Sequence, residues 1–598
     1  MARLLELMLA NGATPADLGS QRIGRGEVLI RQGDASDDIY FVLAGRFQVE
    51  RDSRLLGHVE PGSVVGDIGF FTGAARTASV VAFRDSLVLR LSRDDYQRLC
   101  DSRPGLRDAI ITELATRFSD RLASPDPAKA DRTRPRALAL IGAGDRPIPA
   151  RIAQRLAAGL SALLPAQAVS RADFRAATRA ALDSFDAADW FSRTERAARI
   201  TLYLPEPGDD DWQRAIVRQS DQLLIVGEAG PPPPLSPIES FAFSQLGPDL
   251  RRLVLLHPRR AETVSGTADW LRVRRVAIHH HVALRGNSDL SRLARFLSGQ
   301  AVGLVLSGGG AYGLAHIGIR EALAAEGIGF DILGGTSVGS AMAAAFALGL
   351  GGEELTARVA DIFVASRALR RVTLPRYALL DHRVFDDRLA HHFGETDIAD
   401  MWRPFFAVAA NLATDREEVI RSGPLWQAIR ASSALPGILP PFIHRNGNLV
   451  VDGGILDNLP VRAMREIKAG PNVVVSLARA RAAEEGWNYA RIPSRLGLFL
   501  DLLRPRRWRG SAPVPGAIET IMRAMTAGQT ALHGTLDPQD WLLTPPLPPG
   551  LGFMNWKDAP TLIAPAAAYA RARYANLATA NPALHEALRA AGPLRRGS

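Results

Sequence analysis

Between Gly26 and Leu91, apolar and polar positions alternate in short runs, EVLIR, IYFVL, RFQVE and SLVLRL, separated by Gly and Asp turns. Alternation of period two puts every second side chain on one face, so these runs predict a compact antiparallel unit, a β-sandwich or jelly roll. Leu106, Ile110, Leu114, Phe118 and Leu122 then recur at helical spacing and predict an amphipathic helix closing the unit. The polar, proline-bearing stretch SPDPAKADRTRP, 124–135, reads as a linker.

From Arg136 to about Gln300 the pattern changes. Continuous apolar runs, ALALIG, ITLYL, QLLIVG and RLVLLH, alternate with helical periodicities, which predicts a parallel sheet covered by helices. The alternation restarts at Val302 with VGLVLSGGGAYG and continues through FDILGGTSVGSAMAAAF, where an Ala-rich helix around 340–350 is stopped by Gly349, Gly351 and Gly352. The chain is therefore expected to be multidomain: a β unit at 1–123, the linker at 124–135, a middle α/β domain at 136–300, an α/β/α core at 301–465, and an extension of that core at 466–598.

Composition changes this picture little. With 47% hydrophobic and 22% charged residues the chain has the material for several cores. The formal charge of +10 points to an anionic partner, but lysine occurs only at Lys129, Lys468 and Lys557 and the arginines are dispersed. With no nucleic-acid-binding module in the pattern, nucleic acid is not an expected partner. A single cysteine, Cys100, excludes an internal disulfide framework and fits a reducing, cytoplasmic compartment. The N-terminal run MARLLELMLANG is broken by Glu6 and too short to span a bilayer, so no anchor is expected. His279, His280 and His281 are adjacent and cannot share one face, which predicts surface or turn histidines and no metal site. The GAG at 142–144 follows a strand but is too little for a dinucleotide loop.

The chemistry lies in the last α/β region. Gly335-Thr336-Ser337-Val338-Gly339 falls between an apolar strand and a helix, the context in which G-x-S-x-G forms a nucleophile elbow. Gly335 and Gly339 permit the sharp turn, and Ser337 caps the positive end of the helix. Upstream, Gly308, Gly309 and Gly310 follow a strand and precede a helix, a nest of N–H groups suited to an oxyanion. Downstream, Asp452 follows the apolar run NLVV and precedes Gly453 and Gly454, either as a turn residue or as a base near the serine. A carboxylate with an ordinary pKa near roughly 3.9 is a weak base, so the second role requires burial to raise its proton affinity.

GGGAYG, GTSVG and DGG in this order, covering roughly 301–461, resemble the patatin-like phospholipase family. The preceding stretch WLRVRRVAIHHHVALRGNSDLSRLARFLSGQ resembles its neuropathy target esterase branch. The resemblance implies a lysophospholipase or phospholipase in which Ser337 is the nucleophile and Asp452 the base of a dyad without histidine. Gly308, Gly309 and Gly310 would then hold the oxyanion, and no cofactor would be required. One position departs from the family: Tyr312 stands where Arg or Lys is usual. A phospholipid or lysophospholipid substrate implies peripheral contact with a membrane surface. Arg370 and Arg371, and the cluster Arg504, Arg506, Arg507, Trp508 and Arg509, are the basic candidates for it.

In the first domain, VVGDIGFFTGAARTASV resembles the phosphate cassette of the cyclic-nucleotide-binding fold. The resemblance places Gly66 and Asp67 at the ribose positions and Arg76, Thr77 and Ala78 at the phosphate positions, with cAMP or cGMP as regulatory ligand. Asp67 is one methylene shorter than the usual glutamate. Two alternatives stand beside the esterase: a Ser-His-Asp α/β-hydrolase completed by His533 or His585, and a nucleotide-sensing protein with an inactive esterase domain.

Overall fold

The structure, a computed structural model, describes residues 19–102, 135–144, 146–477, 536–548 and 551–592, with isolated residues between 107 and 112, 490 and 497, and 516 and 524. The helix expected at 106–122 and the linker at 124–135 fall largely outside the described residues, as does the cluster from Arg504 to Arg509. The chain divides into two compact units, 1–259 with 269–299, and 260–268 with 300–598.

In the first unit, the alternating runs fold as two four-stranded antiparallel sheets. One is ordered Gly19–Ile23, Ser86–Ser92, Asp38–Ala44, Val64–Val65, and the other Val28–Ile30, Ser79–Ala82, Phe47–Arg51, Arg54–Val59. Val42, Phe47 and Val88 point between the sheets and are buried, while Phe41 faces the other way and packs with Phe70 and Leu99. The β-sandwich is followed by a six-stranded parallel sheet ordered Ala166–Val169, Ile200–Tyr203, Ala137–Gly142, Gln222–Glu228, Arg251–His257, Ile278–Ala283. Helices cover both faces, and for that reason its central strands read as unbroken apolar runs.

The last strand corrects the expectation for the histidines. His280 and His281 are each 1% exposed on Ile278–Ala283, and His257 Nε2 lies 3.0 Å from His281 Nδ1. Adjacent residues do face opposite ways, but a strand covered on both faces buries both directions. Desolvation pushes the His280 pKa well below its ordinary value. The GAG turn is also occupied from within: Gly144 N–H donates to the Glu239 carboxylate at 2.7 Å. Arg274 neutralises that carboxylate at 2.7 Å, and both side chains are fully buried.

Sandwich and parallel sheet meet through buried charge. Arg84 pairs with Glu195 at 2.6 Å and Arg46 with Asp221 at 3.3 Å, and none of the four is more than 6% exposed. Asp221 accepts the N–H groups of Arg136 (2.7 Å) and Ala137 (3.2 Å), while Tyr203 donates to Glu195 at 2.8 Å. Arg218 reaches back to Asp85 of the sandwich at 3.0 Å.

The second unit is built on an eight-stranded mixed sheet, ordered Phe442–Ile443, Leu449–Asp452, Phe405–Asn411, Ile332–Thr336, Gly303–Leu306, Asn472–Val475, Trp541–Leu543, with Arg416–Ile420 paired to Phe405–Asn411. The strands Gly303–Leu306 and Ile332–Thr336 are parallel neighbours, with Leu306 opposite Gly335, so both chains leave the sheet at the same edge. That edge is where an open α/β sheet places its ligands. Among the described residues no helix is long and apolar enough to cross a membrane.

Candidate active site

Register brings the three motifs together. Thr336 lies opposite Val408, and the next residue, Ala409, lies opposite Asp452 on the antiparallel strand Leu449–Asp452. Ser337 and Asp452 thus leave the sheet at one level, two strands apart, while the glycine loop closes in from the other neighbour.

Ser337 has φ 54° and ψ −128° and caps the helix Val338–Ala347. A non-glycine residue at positive φ is strained, and here the strain is held from several sides. Its N–H donates to the Ser432 hydroxyl at 2.9 Å, which in turn donates to Val408 O at 2.6 Å, and the Ser340 hydroxyl donates to Ser337 O at 2.6 Å. The flanking glycines are required by close approach. A Cβ at Gly335 would stand 2.6 Å from Leu306 O, and one at Gly339 would stand 2.3 Å from the same oxygen.

Asp452 is fully buried. Its Oδ1 accepts the Gly454 N–H at 2.9 Å, whereas Oδ2 has no partner of full hydrogen-bond geometry among the described residues. Desolvation pushes its pKa up to about 7, and hydrogen bonding from Gly454 and, more weakly, from the Ser337 hydroxyl opposes that rise. The serine contact is therefore looser than a finished hydrogen bond, as is common before a substrate arrives. The acid is nonetheless held with a proton affinity that suits a base near neutral pH.

In the glycine loop, Gly308 N–H is committed to Asn458 O at 3.3 Å, and Asn458 Nδ2 returns a bond to Gly308 O at 3.4 Å. Gly309 and Gly310 begin the 3₁₀ turn Gly310–Leu314, and their N–H groups have no protein acceptor among the described residues. Of the three expected glycines, these two offer donors. Gly310 lies under the Phe553 ring, which a Cβ would meet at 2.4 Å. Tyr312 donates to Leu551 O at 2.7 Å and packs edge-on against Phe553, tying residues 551–553 over the loop. The residue that departs from the family pattern is thus a tether for a distant segment.

A cavity opens beside Ser337 and Gly310, with about 790 Å³ of empty space when its solvent-open mouth is included. Its wall is almost wholly apolar, with Met342, Phe385, Leu389, Phe393, Ile429 and Trp556 among the lining residues. Among the described residues Arg358 is the one charged side chain that lines it, and no histidine does. His585 packs against Tyr574 on the helix Pro582–Ala591, and His533 lies outside the described residues. Sequence patterning missed Asn458, Ser432 and Tyr312 as supports. Tyr312 carried a signal as the departure from the family pattern, and Asn458 as a polar residue six positions beyond Asp452 in DGGILDN.

In the sandwich, Gly66 precedes the short helix Asp67–Thr72 with φ 85°, and a Cβ there would stand 2.3 Å from Arg76 Nη1. Arg76 is buried and donates to Gly66 O at 2.8 Å and Asp38 O at 2.5 Å. Asp67 Oδ1 accepts its neighbour's Ile68 N–H at 3.0 Å and the residue is half-buried, Thr77 is exposed, and Ala78 is half-buried. The structure brings Gly66 and Arg76 into contact, with the guanidinium bracing the cassette it was expected to present to a phosphate.

Three family models match stretches of the chain. Residues 20–103 match the model of the cyclic nucleotide-binding domain, 150–298 that of the neuropathy target esterase family P-loop-like domain, and 304–465 that of the patatin-like phospholipases. An uncharacterized NTE family protein of Mycobacterium tuberculosis (strain ATCC 25618 / H37Rv) is 30% identical over 542 residues, covering 89% of this chain and 87% of that one. Patatin-like phospholipase domain-containing protein 7 of Rattus norvegicus is 30% identical over 508 residues, 76% of this chain and 37% of its own length. Lysophospholipase NTE1 of Mycosarcoma maydis is 28% identical over 546 residues, 75% of this chain and 28% of its own.

Proposed function

Since this chain belongs to the neuropathy target esterase (NTE) family, we propose that it is a lipid esterase that releases fatty acid from lysophospholipid or phospholipid through Ser337 and Asp452. The observation that carries this is the coincidence of a strained serine, a fully buried carboxyl with a pKa near 7, and an apolar cavity at one sheet edge. An acyl chain is the part of a lipid that matches the apolar wall of that cavity. In this reading 301–465 is the catalytic core, 466–598 its extension, 136–300 a middle domain and 1–123 a regulatory one.

In the proposed reaction the Ser337 hydroxyl attacks the ester carbonyl as Asp452 takes its proton. The tetrahedral oxyanion accepts from the Gly309 and Gly310 N–H groups. Asp452 then gives the proton to the leaving glycerol oxygen, and the acyl group stays on Ser337. Water, deprotonated by Asp452, attacks that ester, and Asp452 returns the proton to the Ser337 oxygen as the fatty acid leaves. No step requires a metal or cofactor.

The test is fatty-acid release from lysophospholipid, phospholipid and triglyceride by the full chain. Because Asp452 must be ionised to act, kcat/KM is expected to rise with pH through about 7 and to be lost below it, since the protonated acid cannot accept from serine. An ascending limb near pH 4 would remove Asp452 as base. Asp457, whose carboxyl burial pushes up to about 6, is the neighbouring acid that would mimic the limb near neutral pH, so the profile is read beside Asp457→Asn.

We further propose that the first domain binds a cyclic nucleotide through Arg76, since a buried monoanionic phosphate must be matched by charge. Arg76→Ala is expected to abolish calorimetric heat with cAMP and cGMP and to lower stability as well, because two backbone carbonyls lose their donor. Asp67→Ala is expected to weaken binding less. Absence of heat at millimolar ligand with the wild-type chain would reduce the domain to a packing module.

A further inference from the structure

Residues 371–381 form a short hairpin whose strands are joined by a bridge between Val372 and Leu380, with Thr373 N–H donating to Leu379 O at 3.0 Å and Asp381 N–H to Arg371 O at 2.8 Å. Its tip is unusual in what it exposes. Val372, Leu374 and Tyr377 are 79%, 86% and 74% exposed, so three large apolar side chains project from six residues. Singly exposed apolar residues need no explanation, but a tight group at the end of a hairpin does.

The charge of this stretch is mainly basic. From Asp361 to Asp381 the chain carries Arg367, Arg370, Arg371 and Arg376 between the two terminal aspartates. Apolar and aromatic tips within a collar of arginine are the composition that enters the boundary between lipid headgroups and acyl chains, where the arginines meet anionic headgroups. The hairpin is also continuous with the cavity. Ile362, Phe363 and Leu369, on the run leading into it, line the cavity wall. At its base Leu379 N–H donates to Gly437 O at 2.9 Å and Leu380 N–H to Ile438 O at 3.0 Å, and Ile438 lines the cavity as well. A six-residue π-helix, Ala360–Ala365, precedes it, a distortion that often marks functional segments.

We infer that the 371–381 hairpin is a membrane-docking element that inserts Val372, Leu374 and Tyr377 into an anionic bilayer surface and so sets the acyl cavity against its substrate. The inference rests on the lipid-esterase reading for its purpose but not for its test. The full chain is floated with vesicles of phosphatidylcholine, with and without phosphatidylserine. The wild-type protein binds the anionic vesicles more tightly, and less so as salt is raised. Val372→Ser/Leu374→Ser/Tyr377→Ser is expected to lose roughly tenfold or more in vesicle affinity, and Arg370→Gln/Arg371→Gln/Arg376→Gln to lose the preference for phosphatidylserine. Hydrolysis of vesicle-borne lipid falls in parallel, while hydrolysis of a soluble short-chain ester is unchanged, because none of these residues lines the cavity. Undiminished vesicle binding by the apolar variant overturns the inference and makes the tip a surface for a protein partner. Failure of the wild-type chain to hydrolyse either substrate would count against the esterase reading alone, with the binding arm still deciding the hairpin.

Discussion

Asp452→Asn is expected to lower kcat for lysophospholipid by about 10³-fold or more, and Ser337→Ala by roughly 10⁴-fold or more, with the fold retained in both. The asparagine keeps the shape of the acid and can still accept from Gly454 N–H, but it cannot take a proton from serine. The same change should make the protein more stable above neutral pH. The folded-state pKa of about 7 lies above the ordinary 3.8, so the folded protein holds a proton that the unfolded chain releases across that interval. The acid's contribution to stability therefore declines as pH rises from about 4 to 7, and above 7 a charge is buried without an ionic partner. Asp452→Asn should gain on the order of 1 kcal/mol or more at pH 8, and less at pH 5, in thermal unfolding. His533→Ala and His585→Ala should keep most activity. Loss of activity in either with the fold intact would move the base from Asp452 to a triad.

Removing Asp221 should be the costliest change in the first unit. It is 2% exposed, and although desolvation raises its pKa, the Arg84 and Arg46 guanidiniums, 2% and 3% exposed, together with its backbone hydrogen bonds hold it below the usual carboxylate range. With Asp221→Ala those cations lose a buried counter-charge, and the N–H groups of Arg136 and Ala137 lose their acceptor. Breaking one partner of a buried ion network costs about 3–5 kcal/mol. Denaturant unfolding of the full chain measures this, and a loss under about 1 kcal/mol would mean the network does not join sandwich to parallel sheet. Replacing Arg84 and Glu195 together with apolar residues should cost far less than either alone, since no charge is then left unpaired. Acid should weaken the joint, because Asp221 contributes stability above its unfolded pKa that is lost as pH falls through its lowered folded one.

Much of this was legible in the sequence because it is local. The period-two runs of the sandwich, the apolar runs of the central parallel strands and the three glycine-bearing motifs each express a constraint acting within a few residues. What was not legible depends on contacts between distant segments. Ala166–Val169 is a half-buried edge strand containing glutamine, so it lacks an apolar run, and Ile278–Ala283 hid behind its histidines. The commitment of Gly308 N–H to Asn458, the Tyr312 tether to Leu551, and the Phe553 ring over Gly310 join positions 150 or more residues apart. The interdomain charge network is of the same kind: its arginines look like any others in an arginine-rich chain until Asp221 and Glu195 fold against them. Arg76 shows the limit within a recognised motif, since nothing in RTAS tells that the guanidinium also braces its own cassette.

If Ser337 carries the acyl group during turnover, rapid-quench mass spectrometry of the full chain mixed with lysophospholipid will trap it there. The expected species is heavier by one fatty acyl group less a hydrogen, maps to the peptide holding Ser337, and is present in the wild type and absent from Ser337→Ala. Fatty-acid release that persists in Ser337→Ala, or an adduct mapped to another residue, would contradict that role of Ser337.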